Sequence, residues 1–126
     1  MAISTADYVL DGSLKALAEG TALHLCATQP TTFAEASSTK SLGSVVLTAG
    51  DGGGDFTIAD DSTVGRKVTV AAQSIPVTTG GTGDHIAIVD TANTRLLHVT
   101  TTTSRAVLSG DTYDAAAFAW TNTDAI

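Results

Sequence analysis

The sequence predicts a mainly β domain, an antiparallel β-sandwich or small barrel carrying one N-terminal helix. Three observations lead to it. The 126 residues include 22 Thr, a β-branched residue that favours the pleated, half-buried surface of a strand. Seven or so short runs alternate apolar and polar residues and are separated by turns rich in Gly, Asp or Ser. Only the opening segment carries a helical period. The length suits a single domain over residues 1–126, with a β-rich body from 21 to 121.

The helix is expected over 5–18. Leu10, Leu14 and Leu17 stand at i, i+4 and i+7 and share one face. Ser4 or Thr5 supplies a cap, Asp7 suits the positive first turn, and Gly20 closes the end. A short helix with such a stripe must pack on something. The apolar surplus tilts the expectation toward a face shared with a neighbouring subunit, so Leu10, Leu14 and Leu17 are the candidate interface residues.

From Thr21 the period changes to two. Ala22–Cys26 alternates, with Leu23 and Leu25 on one face and His24 and Cys26 on the other. Gln29–Thr32 is a turn, Phe33–Ala36 a short helical turn, and Ser44–Thr48 the next strand. Gly50–Asp55 is a loop that no regular element tolerates. Phe56–Ile58 and Arg66–Ala72 alternate again, and Pro76 marks an edge or a strand end. Thr79–Gly83 reads as a second Gly-rich loop. His85–Val89 and Arg95–Val99 flank the polar turn Asp90–Thr94 as a hairpin. The Thr100–Thr103 run, Ala106–Leu108 and the turn Ser109–Asp111 follow. A last strand, Tyr113–Thr121, carries Ala116, Phe118 and Trp120 on one face.

Charge and composition exclude several classes. A net charge of −7 opposes a nucleic-acid or anionic-membrane surface. One Cys allows neither an internal disulfide nor a multi-Cys zinc site. No apolar run is long enough to span a bilayer, and the acidic start does not read as a secretory leader. His24, His85 and His98 sit in separate strands with no nucleophile elbow nearby, so no catalytic residue is assigned and no enzyme is expected. Neither Gly-rich stretch leads into Gly-Lys-Ser/Thr, so no nucleotide or other cofactor is expected. Asp51, Asp55, Asp60 and Asp61 bring hard oxygens together as a weak calcium candidate. They miss the EF-hand spacing, and the favoured reading is a solvated turn with no metal. Cys26 reads as a small buried hydrophobe.

Tyr113, Phe118 and Trp120 are the aromatic candidates for a sugar-stacking platform, as in a carbohydrate-binding module. Their Ala-rich setting favours core or subunit interface instead. With only 15% charged residues and strand edges that need covering, the chain is expected to bury surface in a homo-oligomer or a larger assembly.

Three stretches carry a resemblance: Leu23–Ala36 (LHLCATQPTTFAEA), Val64–Val70 (VGRKVTV) and Gly83–Leu97 (GDHIAIVDTANTRLL). In order and texture the chain resembles small virion structural proteins encoded by tailed bacteriophages. None of these stretches is a catalytic motif. The resemblance implies a virion component assembled in the host cytoplasm, with no enzymatic role. The expected role is a capsid decoration or cement protein on the outer shell, partnered by the major capsid protein or other virion proteins. A tail, neck or fibre-base component is the alternative.

Overall fold

The computed structural model describes residues 7–60 and 65–122, with side chains described from residue 11 to 121. Over these residues it is an antiparallel β-sandwich-like fold with one α-helix and no closed barrel. α1 (Asp7–Leu17) is followed by β1 (Ala22–Cys26), a π-helical turn (Glu35–Thr39), β2 (Ser41–Val46), β3 (Phe56–Asp60), β4 (Arg66–Val70) and β5 (Gln73–Pro76). β6 (Gly81–Asp90), β7 (Arg95–Val107), β8 (Thr112–Ala115) and β9 (Phe118–Asn122) complete the order. The strands form a four-stranded sheet β2-β1-β6-β7, a three-stranded sheet β3-β4-β9 and the pair β5-β8.

One core joins these layers. Leu23, Leu25, Ile86 and Ile88 from the four-stranded sheet belong to one buried cluster with Phe56, Ile58, Val68 and Val70 from the three-stranded sheet. Ile75, Tyr113 and Ala115 extend the cluster along β5 and β8. The helix closes it with Leu14 and Leu17, both buried, and is pinned from outside by Asp11. Arg66 Nε and Nη2 donate to the two Asp11 carboxylate oxygens at 2.7 and 3.1 Å, a side-on fork, while Nη1 reaches Asp60 at 2.8 Å. The helix end follows the expected Gly20, whose amide donates to the Leu17 carbonyl.

Two expectations for the strands fail, each for a packing reason. Gly81 and Gly83 lie within β6 rather than in a loop. A Cβ on Gly83 would stand 2.7 Å from Leu25 Cγ and Cδ1, so the glycine makes room for the leucine lying across it. The last strand is not continuous either. It breaks at Ala116–Ala117, where β8 pairs with β5 and β9 pairs with β4. Thr100–Thr103 does not interrupt the chain, and β7 runs through it for thirteen residues.

Candidate functional site

The cross-strand register places three rows on the outer face of the four-stranded sheet, the face turned away from the main core. Val46, Ala22, Val89 and Leu96 oppose one another across all four strands. Ser44, His24, Ala87 and Val99 form the next row, and Ser41, Cys26, His85 and Thr101 the third. Cys26, Ala87 and Val89 are buried in a small second cluster with Ala36, against which Phe33 packs.

A helical turn from the β1–β2 connection supplies Phe33 and Ala36. Thr32 Oγ1 accepts the Glu35 amide at 3.1 Å, and Glu35 Oε1 accepts from the amide and hydroxyl of Thr31 at 2.9 and 3.0 Å. This is a variant of the capping box, legible in Thr32-Phe33-Ala34-Glu35 but absent from the sequence reading. The hydrogen bonds from Thr31 hold the Glu35 carboxyl below its ordinary range.

The row at the other end is open only at Val46. Val46 is 82% exposed, the largest exposure among the big hydrophobic side chains described, Ala22 and Leu96 are half-buried, and Val89 between them is buried.

The third row holds an arrangement not anticipated from sequence. Cys26 and His85 are direct partners in the β1–β6 register, and Asp84 Oδ1 lies 2.8 Å from His85 Nδ1. The same oxygen accepts the amide of Thr28, which sits in the left-handed region at φ 66°. His85, and then the Thr28 amide, hold the Asp84 carboxyl below its usual value. A thiol beside an oriented imidazole is the form of a cysteine nucleophile, yet Cys26 is buried and its Sγ points to the Ala36 carbonyl at 3.5 Å. Burial pushes the thiol up to about 11, so it is not an activated thiolate.

His24 is buried on the same face, its Nδ1 2.8 Å from Ser41 Oγ. Burial lowers its pKa, and burial does the same for His98. The three histidines remain on separate positions of the sheet.

The Asp-rich loop spends its carboxylates on the backbone. Gly50, Gly52 and Gly54 turn at positive φ, a conformation that only Gly adopts without strain. Asp51 Oδ1 then accepts the Ile58 amide at 2.8 Å, and Asp55 accepts the Thr48 amide at 2.6 Å and Gln73 Nε2 at 2.9 Å. Asp60 pairs with Arg66, and Asp61 lies outside the described residues. Among the described residues no group of three or more His, Cys, Asp and Glu is placed to hold a metal ion. An open hollow of about 670 Å³ beside this loop is lined by Lys15, Glu19, Asp51, Asp90 and Asn93, and Asp90 is already bound to Asn93 Nδ2 at 2.7 Å.

Leu14 and Leu17 of the leucine stripe are not offered to a neighbour. Leu14 and Leu17 are fully covered by the chain's own sheets, because α1 lies against β3, β4, β7 and β9 and closes the sandwich. The side chain of Leu10 lies outside the described residues.

The aromatic residues divide. Tyr113 is buried, its hydroxyl bonded to Thr102 Oγ1 and the Thr103 carbonyl at 2.8 and 2.6 Å. Phe118 is half-buried against the main core, whereas Ala116 and Trp120 are exposed, contrary to the expected core face. The reason is position: β9 is the edge of its sheet, so its inward face meets the seam with β7. No helix among the described residues is long and apolar enough to cross a membrane. No family model, curated protein or solved structure matches the chain.

Proposed function

We propose that the protein is a structural component of a tailed-phage particle, a decoration protein that binds the outer shell through the exposed Val46 end of the outer face of its four-stranded sheet. The observation that carries an assembly role is Val46, 82% exposed at the β2 end of the row Val46, Ala22, Val89 and Leu96 and beside the half-buried Ala22. The row ends at β2, an outer strand of its sheet that is joined to Val77–Thr79 at Leu42 and Gly43 and leaves the Val46 side chain uncovered at its other end. The particle itself is supported by the resemblance of Leu23–Ala36, Val64–Val70 and Gly83–Leu97 to small virion proteins. The partner is then the major capsid protein, with copies of this chain meeting one another around it.

Quantitative mass spectrometry of purified particles tests the reading. A decoration protein is expected at hundreds of copies per particle. A few to tens of copies would favour a tail, neck or fibre-base component, and absence from purified particles would overturn both.

A further inference from the structure

The two larger sheets have four outer edges, and the chain covers two of them with its own backbone. Along β2, Val77 bridges Gly43, and the amides of Thr78 and Thr79 donate to the Leu42 carbonyl at 2.8 and 3.0 Å. Along β3, Asp51 bridges Phe56, and the Gly52 amide donates to the Phe56 carbonyl at 2.9 Å. The edges of β7 and β9 are bare. Among the described residues β7 pairs only with β6 and β9 only with β4, and no turn or helix adds a backbone-to-backbone bond to either. The two bare edges lie side by side. His98 of β7 stacks on Phe118 of β9 with ring centroids 6.0 Å apart, and Trp120 lies 6.2 Å from His98.

An uncovered edge presents a row of amides and carbonyls that another strand can complete, and Lys or Pro commonly guards it. Here Leu96–Ser104 and Phe118–Asn122 contain no Lys, Arg, Asp, Glu or Pro. β7 is also the longest strand, and only Val107 of its thirteen residues is buried. Trp120 is 38% exposed on the same flank. The Thr103 carbonyl is already taken by the Tyr113 hydroxyl at 2.6 Å, so the stretch open to pairing is Leu96–Thr101.

We propose that two copies of the chain pair β7 against β7, antiparallel about a two-fold axis, with each Trp120 covered by the other copy. An antiparallel strand pair is its own complement under such an axis. Charge also selects this flank for a second copy. Two chains of net charge −7 repel wherever their acidic surfaces meet, and an uncharged flank avoids that contact. The pairing needs no particle, so it stands apart from the assembly role of the outer face.

Sedimentation equilibrium of the full chain over a range of concentrations is expected to show monomer and dimer. Trp120 is the chain's single tryptophan, so its emission should move to longer wavelength as dilution separates the copies. Thr101→Lys combined with Thr103→Lys, both at exposed positions, sets like charges across the axis. The pair should weaken dimerisation by about tenfold or more with an unchanged circular-dichroism spectrum. Val46→Asp, on the outer face, should dimerise like the unsubstituted chain. Should the lysine pair fail to fold, hydrogen exchange of the unsubstituted chain carries the test, with amides in Leu96–Thr101 slowing as concentration rises. A chain monomeric at every concentration, a dimer that the folded lysine pair leaves intact or that Val46→Asp abolishes, or β7 exchange that ignores concentration would overturn the proposal.

Discussion

The two faces of the four-stranded sheet are built from the same strands and do opposite things. On the inner face Leu23, Leu25, Ile86 and Ile88 are all buried among large side chains from the facing sheet, so tightly that Leu25 occupies the space of a missing side chain at Gly83. On the outer face Ser, His, Cys, Ala and Thr stand beside the apolar row Val46, Ala22, Val89 and Leu96. One capped helical turn covers one end, and at the other Val46 is left exposed at the end of the apolar row. Alternation along a strand separates these two sets completely, because successive side chains point to opposite faces. Stability is therefore concentrated on one face, and the other is free to carry a contact surface.

Substitutions at the two faces should separate stability from assembly. The largest loss is expected for Leu25→Ala, about 2–5 kcal/mol, from lost transfer energy and the cavity left between the sheets. Its denaturant midpoint should fall at unchanged slope. Gly83→Ala adds volume at the same contact and should cost about 1–3 kcal/mol, less than the deletion because Leu25 can shift its rotamer. A Gly83→Ala protein as stable as the unsubstituted one would mean that the inner face is looser than its geometry indicates.

The pH dependence sharpens the contrast from the other side. Burial lowers the pKa of His24 and of His98 below 6.5 in the folded chain, so the unfolded chain binds more protons as pH falls through 6.5. Stability is then fully present above about pH 7 and declines as pH drops toward the folded values. The lowered carboxyls of Asp11, Glu35, Asp84 and Asp90 act later, with stability lost as pH falls below about 4. His24→Gln should flatten part of the decline between pH 7 and 5, measured as melting temperature against pH. An unchanged slope would assign that decline to other groups. The smallest stability effect, within about 0.5 kcal/mol, is expected at exposed Val46, even for Val46→Asp.

How much of this was legible depended on whether the signal was local. The helix, the β1 alternation and the hairpin of β6 and β7 follow from periodicity and turn residues, and each stands where the pattern put it. Gly81 and Gly83 read locally as a loop because each makes room for a leucine distant in sequence, Leu42 for Gly81 and Leu25 for Gly83, which no local pattern reveals. The break at Ala116–Ala117 is equally non-local, since it arises where the chain changes pairing partner. For the stripe Leu10, Leu14 and Leu17 the period predicted a buried face but not whose surface buries it, and Leu14 and Leu17 pack within the chain. The outer row was invisible for the same reason, because Val46, Ala22, Val89 and Leu96 come from four strands. Trp120 reads as core by alternation and is exposed because β9 is an edge.

The claim that the outer face is the assembly surface is tested most directly by particle occupancy of Val46→Asp. Particles lacking the native protein are incubated with the unsubstituted chain or with the variant, and bound copies are counted after repurification. The account predicts that the variant melts with the unsubstituted protein yet fails to fill the sites that the latter saturates. A folded Val46→Asp protein that fills them equally would contradict it.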